Sequence, residues 1–236
     1  MKATIIRKEQ ETPNIHTFYF KTEKEFNYIA GQFTEIQLPL SNPDERGNKR
    51  WFTLSSSPTE EFVSITTRLD PVKPSAFKQA LFHLESGAQI TLAEPMGDFV
   101  LPKQKDTSLI FIAGGIGITP MRSMIKWLSD TNEHRDITLY YAAKVMEDMV
   151  FLDLFQNTDI KFEPILGSPP SDWQGMTGRL TSKTIMSLPN VLDNTLVYIS
   201  GPEPMVETFN TELQQGGIPE HRLVMDYFPG YTEQNI

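Results

Sequence analysis

Two stretches of this chain combine residue types that could do chemistry. In Phe111–Met124, "FIAGGIGITPMRSM", apolar residues run through three glycines into a helical segment. A strand, a glycine turn and a helix start together suit an anion at the helix N-terminus, usually the phosphate of a nucleotide. Two common templates fail here. A P-loop needs Lys followed by Ser or Thr after its glycines, and none follows Gly117. The dinucleotide fingerprint wants a third glycine where this chain has Pro120. The second stretch is "RWFTLSSSP", residues 50–58. An Arg, an aromatic ring and a hydroxyl at alternating or adjacent strand positions can meet one ligand that has a phosphate, a flat ring and a polar ring edge. The same residues also describe an ordinary barrel strand with a surface Arg and a core Phe.

The elements that must position these groups follow two grammars. Up to about residue 101, short β-type runs alternate with turns: Thr4–Ile6, Ile15–Phe20, Phe33–Leu38, Trp51–Ser55, Val63–Arg68 and Gln89–Leu92. Six such runs predict an antiparallel barrel or sandwich, with one helix over Ala76–Leu84. "LPKQKDTS" (Leu101–Ser108) is a polar break, which divides the chain into units of 1–103 and 104–236. Beyond it, "SLIFIAG", "DITLYYAA", "IKFEPIL" and "TLVYISG" read as strands. Helices are expected over Pro120–Asp130, Met149–Phe155, Ser182–Ser187 and Pro204–Gln215. That alternation predicts a parallel sheet covered by helices.

Composition narrows the function classes. Of 236 residues, 39% are hydrophobic and 22% charged, as in ordinary globular proteins. A formal charge of -9 disfavours general binding to nucleic acid or to anionic membranes. There is no cysteine, which removes disulfides, thiolate catalysis and cysteine-ligated iron–sulfur clusters. His16, His83, His134 and His221 show no metal-ligand spacing, so no metal site is expected. No apolar run is long enough to cross a bilayer, no signal peptide is visible, and a cytoplasmic protein is expected.

Five motifs occur in order: "AGQF" (Ala30–Phe33), "RWFTLSS", "PMGDF" (Pro95–Phe99), "AGGIGITPM" and "SGPEPM" (Ser200–Met205). In this combination the chain resembles the ferredoxin–NADP reductase family of flavoproteins over nearly its whole length. The resemblance implies an N-terminal antiparallel FAD-binding β-barrel and a C-terminal parallel-sheet NAD(P)-binding domain. Hydride would pass from NAD(P)H to bound FAD, rather than FMN, and electrons then to a separate acceptor. Ferredoxin, flavodoxin, a haem protein, a quinone or free flavin would serve. The alternative is an electron-relay subunit of a larger redox complex, with little activity alone.

Residue by residue, the resemblance implies that Arg50 pairs with the flavin pyrophosphate, with Trp51 beside it. Phe52, at the family's Tyr position, would pack on the isoalloxazine. Thr53, at its Ser position, would face flavin N5. Thr66 and Thr67 would offer backbone groups to the flavin, and Pro74 and Ser75 would start a helix beneath the pyrophosphate. Gly114, Gly115 and Gly117 would let a dinucleotide approach, with Thr119 and Pro120 opening the helix under it. Ser200 stands where Cys is common, followed by Gly201, Pro202 and Met205 near the nicotinamide. Phe228, or Tyr231, would cover the flavin ring. Lys144, after "YYAA", favours NADP over NAD only as far as a solvated strand-end Lys can.

Overall fold

The computed structural model describes residues 1–40, 42–189, 191 and 193–228, the last by its backbone. Its first half is a six-stranded antiparallel sheet: β1 (Lys2–Thr12), β2 (Ile15–Thr22), β3 (Phe33–Gln37), β4 (Lys49–Thr53), β5 (Val63–Arg68) and β6 (Gln89–Leu92). The order is β4-β3-β6-β1-β2-β5. A helix, α1 (Ala76–His83), crosses from β5 to β6. Alternation explains the core: Phe18 and Phe20 of β2, Phe52 of β4 and Ile65 of β5 turn inward and pack with Phe77 and Leu81 of α1. The expected barrel is drawn together at a seam rather than by a ladder. Its edge strands β4 and β5 meet through a Leu54–Ile65 bridge, beside which the Ser55 N–H donates to the Ser64 carbonyl at 2.8 Å.

The second half is a six-stranded parallel sheet. Its strands are β7 (Leu109–Gly114), β8 (Ile137–Ala143), β9 (Lys161–Leu166), β10 (Met176–Thr177), β11 (Leu196–Pro202) and β12 (Leu223–Phe228). Four helices accompany them: α2 (Thr119–Thr131), α3 (Leu152–Gln156), α4 (Ser182–Met186) and α5 (Glu203–Gln215). Strand β7 supplies both faces. Leu109, Phe111 and Ala113 pack under Met121, Met124 and Ile125 of α2. Ile110 and Ile112 pack under Val206, Phe209 and Leu213 of α5. Pro120 falls in the first turn of α2, where its missing N–H costs no helical bond.

The order β10-β9-β8-β7-β11-β12 places later strands on opposite sides of β7. The direction of winding therefore reverses between β7 and β11, and a crevice opens at the carboxyl ends of those strands. Both ligand-like motifs of this half, the glycine turn and "SGPEPM", end there. Two strands, β10 and β12, were not expected. Helix α3 starts three residues later than expected because Phe151, just before it, has a left-handed backbone (φ 65°). No helix among the described residues is long and apolar enough to cross a membrane.

Candidate active site between the two sheets

A cleft of about 850 Å³ lies between the sheets, at the upper end of the range for small-molecule sites. The first sheet contributes Arg50, Trp51, Phe52 and Thr53 from β4, Thr66, Thr67 and Arg68 from β5, and Ser75 before α1. The second contributes Ile116 from the glycine turn and Met225, Asp226 and Tyr227 from β12. Seven of the residues singled out in the sequence thus line one space. Pro74 sits beside them at the start of α1, half-buried.

Local chemistry explains these placements. Arg50 is held by its own loop. Its Nη1 donates to the carbonyls of Arg46 (2.7 Å), Gly47 (3.2 Å) and Lys49 (2.6 Å), and its Nη2 to the Asp44 carboxylate (2.7 Å). The guanidinium also lies 5.2 Å from the centre of the Phe77 ring. Ser75 is the N-cap of α1, accepting the Lys78 N–H at 3.3 Å. The next amides of that helix therefore point toward the cleft with the positive end of the helix dipole. Trp51 alternates outward, 67% exposed, with its ring 6.1 Å from Phe33. Thr53 and Thr66 are buried. The Thr66 hydroxyl is already engaged with Ser55 (2.9 Å) and Thr17 (2.8 Å), which leaves its backbone as the group it can offer.

The glycine turn is seated directly on β11. A Cβ at Gly117 would lie 2.2 Å from the Ser200 carbonyl oxygen, and one at Gly114 would lie 2.6 Å from the Met205 sulfur. The side chain of Met205 thus fills the gap between the two motifs. The Thr119 hydroxyl closes the turn by donating to the Ile116 carbonyl at 3.1 Å. Gly115, Gly201 and Pro202 are buried in the same junction. Lys144 is exposed at the end of β8 and is not among the residues lining the cleft; its carbonyl accepts the Ser168 N–H at 2.8 Å. Phe228 ends β12, and the ring cover expected of it or of Tyr231 falls outside the described side chains.

Two features of the junction could receive a ligand. The Ser200 hydroxyl is fully buried and has no hydrogen-bond partner among the described residues. Opposite it in register on β12 is Asp226. Burial pushes the Asp226 carboxyl up to about 7, and the nearby Ser200 hydroxyl tempers that rise without reaching hydrogen-bond geometry. At neutral pH this carboxyl therefore holds a proton much of the time. Sequence reading passed over Asp226 because the acid interrupts an apolar run that was not recognised as a strand. It also passed over Arg68, which lines the cleft and reaches across to Asp148 at 3.1 Å.

Residues 111–211 match the family model for the oxidoreductase NAD-binding domain. The chain is 25% identical over 237 residues to flavohemoprotein A of Dictyostelium discoideum, covering 96% of this chain and 59% of that protein. It is 26% identical over 212 residues to the NADH oxidoreductase HCR of Escherichia coli, covering 89% of this chain and 62% of that one. The chain thus spans about three-fifths of the length of these curated relatives. A crystal structure of a ferredoxin NADP+ reductase from Neisseria gonorrhoeae, with bound FAD and NADP, superimposes with a TM-score of 0.81. That match is at 19% identity and covers 96% of this chain and 98% of that one.

Proposed function

From a chain that is ferredoxin–NADP reductase-like, in its two-sheet fold and in its oxidoreductase NAD-binding domain, we propose a flavin-dependent NAD(P)H oxidoreductase. It would take hydride from a nicotinamide dinucleotide onto FAD and deliver electrons to a separate acceptor, a protein or a small molecule. The observation that carries this reading is the convergence of Arg50, Phe52, Thr53 and Ser75 with Ile116 and Asp226 around one cleft. We place the division of labour at residues 103 and 104 and the protein in the cytoplasm.

Bound FAD would supply the chemistry that converts a hydride into single electrons. The residues present fit that group. Arg50 and the N-terminal amides of α1 offer charge and N–H donors for a pyrophosphate. Phe52 offers an aromatic face, with Trp51 at the mouth, and Thr53 a buried hydroxyl for the polar edge of the ring. On the other side, the turn that Gly114 and Gly117 seat against β11 would present its backbone at Gly115 to a dinucleotide, with Thr119 and Pro120 under it. Ser200, with Gly201, Pro202 and Met205 around it, has an unpaired hydroxyl to orient a nicotinamide amide. Below about pH 7 the Asp226 carboxyl holds a proton beside these groups. The protein's work is to bring two flat rings together, exclude water and fix their orientation.

The test is a visible spectrum of the purified protein before and after anaerobic NADH or NADPH. A flavin spectrum that bleaches is expected, and the faster nucleotide reports the specificity at which Lys144 hints. A flavin that neither nucleotide reduces would support the relay subunit instead. A colourless protein that cannot be reconstituted with FAD or FMN would overturn the reading.

Asp226 gives a pH prediction. Its folded pKa lies above the unfolded value of about 3.9, so its contribution to stability is fully present below pH ~3.9 and is lost as pH rises through about 7. Asp226→Asn removes that loss. Its melting temperature relative to the wild type should be highest at pH 8 and should fall steadily toward pH 4. Parallel pH profiles for the two proteins would show that Asp226 ionises freely.

A further inference from the structure

Three serines and an arginine inside the ligand-like motifs do not line the cleft. Ser55 and Ser56 follow Thr53 in "RWFTLSSSP", and Arg122 and Ser123 follow Thr119 in "GITPMRSM". They meet each other. Arg122 Nη1 donates to the Ser55 carbonyl at 2.9 Å, and the Ser123 hydroxyl donates to the Ser56 carbonyl at 2.5 Å. The Arg122 guanidinium also grips Glu60 with both nitrogens, Nη1 on Oε2 and Nη2 on Oε1, the latter at 2.9 Å. Glu60 Oε2 in turn accepts the Ser57 N–H at 2.6 Å, and the Tyr28 hydroxyl donates to the Ser56 carbonyl at 3.1 Å. The ion pair is mostly shielded, with side chains 14% and 23% exposed. On its far side the guanidinium lies 5.4 Å from the centre of the Phe151 ring.

We propose that Arg122 and Ser123, with Glu60, form a clamp of positioning residues that sets the spacing between the Thr53 strand and the glycine turn. This deepens the reading of a hydride-transferring flavoprotein and rests on it. Adhesion between the two halves already comes from apolar burial: Ile15, Ala30 and Phe99 of the first half belong to the core of the second. Burial of that kind is non-directional. A bidentate guanidinium–carboxylate pair and two hydrogen bonds, one of them buried, are directional and fix angle as well as distance. A shielded ion pair is also weak evidence for net stability, because desolvation offsets most of its attraction.

The connection to the chemistry is short. Ser55 is two residues beyond Thr53, and Arg122 three beyond Thr119. From Thr119 the turn runs back to Gly117, which rests on the carbonyl of Ser200. The clamp therefore ties Thr53 to Ser200 through backbone and first-turn contacts, without a long flexible side chain at any link other than Arg122 itself.

The experiment is anaerobic stopped-flow reduction of the flavin-loaded wild type, Arg122→Ala, Arg122→Lys and Ser123→Ala across a range of NADH or NADPH concentrations. Arg122→Ala should lower the limiting rate about 10–100-fold while the dinucleotide dissociation constant changes less than about 3-fold, because spacing and not binding is lost. Arg122→Lys should recover part of the rate, since it keeps the charge without the fork. The long-wavelength charge-transfer absorbance of stacked nicotinamide and flavin should weaken in step. If Arg122→Ala does not fold by near-ultraviolet circular dichroism, Ser123→Ala and Arg122→Lys carry the same comparison. A wild type that bleaches and a folded variant with an unchanged limiting rate would overturn the clamp alone. A wild type reduced by neither dinucleotide would overturn the underlying reading and the clamp with it.

Discussion

Gly117→Ala should leave flavin bound and slow its reduction by nicotinamide dinucleotide at least ~100-fold. The added Cβ would sit 2.2 Å from the Ser200 carbonyl oxygen, 2.5 Å from its carbon and 2.6 Å from Gly201 Cα. All three neighbours are backbone, so no side chain can swing aside. Either the turn lifts off β11 or β11 moves away from β7, and each shift is of the size, about 1 Å, that costs roughly 10²-fold in an oriented reaction. Overpacking of this kind costs about 1–3 kcal/mol, so the melting temperature should fall by about 2–12 °C for a chain of this size. Flavin content should not change, because the Arg50, Phe52, Thr53 and Ser75 side of the cleft belongs to the other sheet. Gly167→Ala is the control. Its Cβ would lie 3.6 Å from the Lys144 carbonyl, an ordinary contact, and its reduction rate should match the wild type. Stopped-flow reduction and flavin absorbance together check this, and wild-type reduction by Gly117→Ala would separate the turn from nucleotide binding.

How much of this was legible in the sequence depended on the range of the signal. The glycine turn, the Pro120 helix start and the Ser75 cap are each written within a few residues, and each took the expected form. Strands Val63–Arg68 and Gln89–Leu92 were found to the residue because turns bracket them. Strand β1 was read as Thr4–Ile6 but runs from Lys2 to Thr12. Its second half, "RKEQET", has no apolar face. It is held by the β2 ladder and by cross-strand contacts, with Arg7 3.9 Å above the Tyr19 ring and Glu9 accepting the Tyr19 hydroxyl at 2.8 Å. Strand β12 was missed for a related reason. Asp226 breaks its apolar run, and the strand is built on register with β11 rather than on its own alternation. The contacts that join the halves were invisible altogether. Glu60 and Arg122 are 62 residues apart and Arg68 and Asp148 are 80 apart, and no local period records such a pairing. Sequence therefore named the groups on the first wall of the cleft, but neither the β12 residues of the second wall nor the pairs that set the walls' separation.

Arg50→Ala should yield a folded protein that is purified without flavin. The guanidinium is the one group in "RWFTLSSSP" with a permanent charge and a fork that matches phosphate oxygens. It faces the cleft beside the start of α1, where the capped N-terminus adds partial positive charge. Hydrogen bonds to charged groups contribute about 1.5–3 kcal/mol each, so the loss of two phosphate contacts should weaken FAD binding at least ~100-fold. A second effect acts in the same direction. Arg50 also gathers the carbonyls of Arg46, Gly47 and Lys49 and the carboxylate of Asp44. Without it the Asp44–Gly47 loop loses its anchor, and Arg46, which lines the same cleft, loses its fixed place. Arg50→Lys separates the two contributions: it restores charge without the fork and cannot reach several acceptors at once. It should therefore recover only a minor part of the affinity, whereas a purely electrostatic role for Arg50 would make the lysine variant nearly wild-type. Flavin stoichiometry after gel filtration and FAD titration of the flavin-free proteins provide the measurement. Stoichiometric flavin in Arg50→Ala, bound with wild-type affinity, would leave Arg50 as a loop anchor and move the pyrophosphate site elsewhere in the cleft.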